Sequence, residues 1–304
     1  MGQLVGGMIH RQNQSDRSPG QTAAAPVLHA DAASPQQRIP PPTMNPQAYQ
    51  AFTDALQRTL EQDPRVIGLM AAGSMARQSH QPDDWSDHDF WVVVEPETWQ
   101  WFADHHEWLP DSDQIVLYFR ETLPAGMKAV YRSGHLAEFA VTDRAVFATA
   151  KVNDYALLID KAGLAHDLAR MNTDTATEFQ AAVQDEIRLY GQFITNLLVG
   201  VGRYRRGETL SARHMITFSS LYGLLRLLPR HIGTERPDAL DNLDPLRRFE
   251  AAYPEIGAQI NQILMLAPDQ AAVGLLDLAD ELLRDKLSAY PTEAVAAIRR
   301  RMLA

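Results

Sequence analysis

Asp87 and Asp89 stand two residues apart at the entrance to an apolar run, Phe90-Trp91-Val92-Val93-Val94. Side chains alternate along a strand, so the two carboxylates share one face and His88 takes the other. Two carboxylates side by side at the mouth of a buried strand repel each other, and a divalent cation between them relieves that cost. Mg²⁺ is the natural candidate. Upstream, a second apolar run, Val66 to Ala72, stops at Gly73-Ser74. Glycine lets the backbone approach a ligand closely, and Ser74 followed by the helix-compatible Met75-Ala76-Arg77 offers a hydroxyl and N–H groups to a phosphate. Metal on one side and phosphate donors on the other describe a clamp for a nucleoside triphosphate. A lone Gly-Ser is ordinarily a turn, and a lone Asp-x-Asp ordinarily turn chemistry. It is the order strand, Gly-Ser, polar loop, Asp-x-Asp, strand that makes the pattern specific.

Those groups need a sheet to hold them. Tyr49, Phe52, Leu56 and Leu60 fall on one helical stripe, capped by Asn45-Pro46, and the spacing predicts a helix leading into the first strand near Arg65. Pro96 to Trp108, with Trp99, Trp101, Phe102 and Trp108, reads as a helix packing an aromatic face on the sheet. Short β-like runs follow at 114–120, 127–132, 135–141 and 154–160. Beyond about Asp174 the pattern is helical throughout. Phe179, Val183, Ile187, Tyr190, Ile194, Leu197, Val201 and Tyr204 step by three or four, which predicts one long amphipathic helix. On it Glu186 lies about 50° from the centre of the stripe, at the border of core and solvent. Further helices are expected at 215–228, 245–252, 256–266, 271–287 and 292–303. Residues 1–44, rich in Gln, Ser, Ala and Pro without apolar periodicity, read as a disordered tail.

The segment from Gly73 to Val94 resembles the nucleotidyltransferase signature of the DNA polymerase beta superfamily. Within it the twelve residues between Ser74 and Asp87, including Asp84-Trp85-Ser86, resemble the aminoglycoside 6-adenylyltransferases, the streptomycin-modifying group. The resemblance spans most of residues 45–230. It implies an α/β fold: a mixed-sheet nucleotidyltransferase domain over 45–170, then an all-helical substrate-binding domain over 171–304, with the substrate cleft between them. The reaction it implies is transfer of AMP from ATP to a hydroxyl of a small acceptor, an aminoglycoside, with Mg²⁺ and release of pyrophosphate. A protein side chain as acceptor keeps the same mechanism, and a non-catalytic nucleotide- or partner-binding module is the alternative from another class.

Four more residues enter through charge in unusual places or through that resemblance. Glu138 interrupts the apolar run Leu136-Ala137-Glu138-Phe139-Ala140-Val141. Ionisable groups in such strands rarely go unpaired. On a strand beside Asp87 and Asp89 it completes the metal set or acts as base on the acceptor; the family commonly has Asp there. Glu186 is the rival base, since related enzymes carry an acid near the start of this helix, and an ion pair with Arg188 is its plain alternative. Lys161, in an Asp-Lys pair ending a strand as in the adenylyltransferases, is a candidate for the nucleotide phosphates beside Arg77; Lys151 is a weaker one.

Composition bounds the partners. A net charge of −10 and a pI of 5.4 suit a cationic small substrate and disfavour a protein that grips nucleic acid. The chain has no cysteine, which excludes disulfides and thiolate sites. No stretch approaches the roughly 20 apolar residues that span a bilayer, so a soluble, cytoplasmic protein is the expectation.

Overall fold

The structure is a computed structural model, and it describes residues 44–78, 81–121 and 126–304. The proposed tail up to residue 43 lies outside the described residues. Two compact units are present: the chain up to Phe147 together with Tyr155–Ala162, and Ala148–Asp154 together with Gly163–Ala304.

The first unit is a six-stranded mixed sheet. Its strands are β1 (Val66–Ala72), β2 (His88–Val94), β3 (Ile115–Arg120), β4 (Gly126–Tyr131), β5 (Leu136–Thr142) and β6 (Tyr155–Asp160), in the order β3-β4-β5-β2-β1-β6. Only β2 and β5 run parallel. Alternation sorts their side chains as period two demands. His88, Phe90, Val92 and Val94 of β2, with Ala137, Phe139 and Val141 of β5, enter the core beneath helix α1 (Pro46–Gln62). Asp89 and Glu138 take the opposite face.

Helix α1 begins where the sequence places it: Asn45 accepts a hydrogen bond from Ala48 N, and Pro46 needs no partner for an N–H it lacks. Its four stripe residues are all buried, each contributing on the order of 1.5–3 kcal/mol. Helix α2 is a single turn, Gly73–Ala76. The aromatic segment after β2 is helical only over α3 (Trp99–Asp104), where His105 turns extended and accepts the Trp108 indole N–H at its carbonyl. A one-turn α4 (Arg144–Phe147) follows β5.

The second unit is helical: α5 (Leu164–Gln184), α6 (Glu186–Arg205), α7 (Thr209–Arg213), α8 (Leu221–His231), α9 (Phe249–Ala252), α10 (Pro254–Leu264), α11 (Pro268–Leu283) and α12 (Thr292–Leu303). Residues 164–184 form one continuous helix of this unit, so the change of unit comes earlier than residue 170. The single long helix expected across Phe179–Tyr204 is broken at Asp185. That residue leaves helical geometry, and its carboxylate caps α6 by accepting from Arg188 N. The apolar periodicity runs through the break because one cap residue barely disturbs a three-four spacing. Between α7 and α8 the chain widens into a π-helical stretch, His214–Ser220, with Ser220 Oγ donating to Met215 O and Asn196 Nδ2 to Ser219 O. The helix expected over 245–252 shrinks to α9, because Asp241 and Asp244 cap turns ahead of it.

Candidate functional site

The parallel register of β2 and β5 makes Asp89 and Glu138 direct partners, so the two carboxylates stand side by side on one face. On the next strand Lys128 is the register partner of Glu138. Its ammonium lies 2.9 Å from Glu121 Oε1 and 3.5 Å from Glu138 Oε2. A row Lys128, Glu138, Asp89 therefore crosses three strands. The hydrogen bond that Lys128 donates to Glu121, and then the Glu138 charge, hold its amine above the ordinary range against the opposing effect of burial.

Gly73 closes the row at the end of β1. It has a φ of +53°, a conformation glycine adopts freely, and a Cβ there would sit 3.8 Å from Asp89 Oδ2. Space alone would admit an alanine; the backbone angle is what favours glycine. Ser74, next in sequence, is buried, with its Oγ 3.4 Å from the Tyr49 hydroxyl. The same hydroxyl donates to Asp87 O at 2.7 Å. Tyr49 thus ties the serine turn to the first of the two aspartates. Burial pushes its phenol up to about 12, opposed by the Ser74 bond, while the charges of Asp87 and Asp89 raise it and Arg77 lowers it. All four expected groups are close enough to be felt at one oxygen. Arg77 ends α2 in the left-handed region, with a φ of 56°.

His88 takes the other face, as alternation requires, and is fully buried. Its ring stacks on Tyr49 with centroids 3.8 Å apart. Nε2 lies 3.1 Å from Tyr49 O and 3.0 Å from Thr53 Oγ1, and Nδ1 is 2.8 Å from His135 Nε2. Burial drives the His88 imidazole down to about 3 and that of His135 to about 4. Both are neutral near pH 7, which fixes the strand that carries Asp89 without adding charge behind it.

The loop before Asp87 is ordered by a reciprocal turn: Asp83 Oδ1 accepts from Trp85 N and Ser86 Oγ, and Asp83 N donates to Ser86 Oγ. It presents Trp85 with 95 % of its surface exposed.

The donor set has the chemistry of a hard-cation site: oxygen ligands only, with Glu138 Oε1 buried and lacking a hydrogen-bond partner among the described residues. Among the described residues no three His, Asp or Glu side chains close up into a complete metal site. Of the three acids expected at the metal, Asp89 and Glu138 are the pair that the strand register brings together.

Lys161 is not brought to this group. Its amine donates to Glu61 O and Asp63 O at the end of α1, and its N–H bonds Ile67 O, whereas Gly73 follows the opposite end of β1. Lys161 works there as a C-terminal cap of α1, while Asp160 Oδ1 accepts from Ala162 N. Lys151, in the second unit, pairs with Glu178 at 2.7 Å. Glu186 begins α6 beside a cavity of about 360 Å³ lined by Tyr190 and Arg230. Its Oε1 is 3.0 Å from His231 Nε2 and 3.5 Å from Arg230 Nε, while Arg188 pairs with Asp185.

Sequence reasoning missed Lys128 and the hydroxyl of Tyr49. Lys128 carried the signal that exposed Glu138, a lone charge in the apolar run Met127 to Tyr131. Tyr49 was legible only as one residue of an apolar stripe.

No family model matches the chain, and no curated protein matches it. Among solved structures it is similar to an aminoglycoside 6-adenyltransferase from Bacillus subtilis, at 13% identity over 84% of this chain and 98% of that one, with a TM-score of 0.27. It is also similar to the Bradyrhizobium diazoefficiens CD-NTase CdnG in complex with GTP, at 16% identity over 86% and 95%, with a TM-score of 0.30.

Proposed function

We propose that the protein is a Mg²⁺-dependent nucleotidyltransferase that moves AMP from ATP to a hydroxyl of a small cationic acceptor, an aminoglycoside, releasing pyrophosphate. The observation that carries this reading is the pairing of Asp89 with Glu138 beside Gly73, with Ser74 tied through Tyr49 to Asp87.

Asp89 and Glu138 are the pair that would hold magnesium, with Asp87 the further acid the sequence offers, and the ion would supply charge neutralisation at the reacting phosphate and at the leaving pyrophosphate. Gly73 would keep the turn open to a phosphate, Ser74 would offer its hydroxyl, and Arg77, at the end of the same helical turn, is the cation nearest in sequence. Lys128 holds one oxygen of Glu138. Glu138 or Glu186 is the acid that would take the proton of the attacking hydroxyl. The net charge of −10 supports a cationic small acceptor over a polynucleotide.

Incubation with labelled ATP, Mg²⁺ and a panel of aminoglycosides tests the assignment. Label on a drug with equimolar pyrophosphate is the expected result. Label on protein would move the acceptor to a side chain, and no label anywhere would remove the enzymatic reading.

A further inference from the structure

On the helix-covered face of the first unit's sheet, away from the face of Asp89 and Glu138, lies a cavity of about 430 Å³. Phe52, Asp111, Gln114, Tyr131, Arg132 and His135 line it. That volume falls in the range of small-molecule pockets. Nothing in the nucleotidyl-transfer reading uses it.

Its polar lining combines a phenol, an imidazole and a carboxylate with Gln114, Ser133 and Arg132. Tyr131 is 4 % exposed, and its hydroxyl is buried with no hydrogen-bond partner among the described residues. A buried phenol of this kind ordinarily finds a partner. The tautomers of the adjoining histidines follow from a backbone carbonyl. Tyr49 O can only accept, so His88 Nε2 carries the proton and Nδ1 is bare. His88 Nδ1 must then accept from His135 Nε2 across 2.8 Å, which leaves His135 Nδ1 as an acceptor. Asp111, held in the left-handed region with a φ of 49°, adds a carboxylate whose charge, after burial, helps to push the Tyr131 phenol up. The apolar part is aromatic: the Phe52 ring meets Tyr131 edge-on at 5.6 Å and His135 at 5.4 Å. Arg132 is the cation at the rim, and it is exposed.

We propose that this cavity is a binding site for a small planar aromatic amine, with the ring against Phe52 and the amine donating to the Tyr131 hydroxyl, the His135 ring nitrogen and the Asp111 carboxylate. A carboxylate in place of the amine would face the fixed negative charge of Asp111 and the His135 acceptor, which Arg132, Gln114 and Ser133 only partly offset.

The probes are tryptamine and indole-3-acetate, which share a ring and differ in the charged group, titrated calorimetrically into the full chain at pH 7 without nucleotide. Tryptamine is expected to bind at least about tenfold more tightly, since charge-assisted donors match the acceptors present. Tyr131→Phe is expected to weaken tryptamine about fivefold, the value of one net hydrogen bond, without lowering the melting temperature of the free protein. Absence of saturable tryptamine binding, equal or tighter binding of indole-3-acetate, or an unchanged affinity in Tyr131→Phe would each overturn the proposal. Because no turnover is read, these outcomes stand whether or not AMP transfer is found.

Discussion

Asp89 and Glu138 are register partners on parallel neighbouring strands, and Lys128 shares the row by holding Glu138 Oε2 at 3.5 Å. Exchanging the Asp89 carboxylate for an amide keeps the shape and removes the charge. Asp89→Asn is therefore expected to cut Mg²⁺-dependent pyrophosphate release about a thousandfold, since metal ligation contributes several kcal/mol to such steps. Circular dichroism and melting should stay those of the parent. Full pyrophosphate release by a folded Asp89→Asn protein would sink the metal assignment.

Lys128 competes with a metal for the same carboxylate. The ammonium and Glu138 are both largely sheltered, with 21% and 12% of their side chains exposed. Lys128→Met should lower the Mg²⁺ concentration needed for half-maximal activity about fivefold, from a charge pair worth roughly 1 kcal/mol. A magnesium titration of parent and variant reads this directly. A rise in the magnesium requirement would mean that the lysine supports metal binding.

Tyr49 acts through position. Its hydroxyl holds Asp87 O at 2.7 Å and reaches Ser74, and its ring stacks on His88. Tyr49→Phe preserves the stack and deletes the bonds, so urea unfolding should show a loss of about 1 kcal/mol. The apparent Mg²⁺ affinity should fall with it, because the Asp87 segment loses its tether. Loss of stability with magnesium binding intact would confine Tyr49 to the core.

The two buried imidazoles set a pH dependence with a definite sign. Burial depresses His88 to about 3 and His135 to about 4, whereas both titrate near 6.5 in the unfolded chain. Below 6.5 the unfolded state takes up protons that the folded state refuses, so stability is full above that pH and declines as it falls towards 4. The slope approaches about 1.4 kcal/mol per pH unit for each ring. Urea unfolding at pH 7, 6 and 5 isolates these rings from the carboxylates, and His135→Gln should roughly halve the slope. A flat profile from 7 to 5 would show that the rings are not buried neutral.

How far the site could be read beforehand depends on what periodicity encodes. Alternation fixes which face a strand residue takes, so Asp89 opposite His88 was legible from β2 alone. Glu138 was legible as a lone charge in an apolar run on a neighbouring strand, but its exact pairing with Asp89 comes from β2 and β5 running parallel in register, a long-range fact that no local pattern carries. Lys161 shows the reverse failure. Its Asp-Lys pair has the right residues, but the carbonyls at the end of α1 take the amine, and those lie about a hundred residues earlier in the chain. The break at Asp185 escaped notice because a capping aspartate fits the helical spacing on both sides of it.

The helical unit has its own test at Gly200. A Cβ there would lie 2.5 Å from Ile216 Cγ1 and 3.0 Å from its Cδ1, with Ala212 O at 3.4 Å, so α6 meets the π-helical stretch where only hydrogen fits. The obstacle is the inner part of a branched, fully buried side chain, which cannot swing away. Gly200→Ala should therefore cost about 1–3 kcal/mol as overpacking, outweighing the roughly 1 kcal/mol that alanine gains in a helix interior. Ile216→Ala alone should also destabilise, by opening a cavity. The double variant should recover part of the loss, because the new methyl occupies space the isoleucine has left. Denaturant midpoints of the four proteins give the coupling, and strict additivity would show that the two positions do not press on each other.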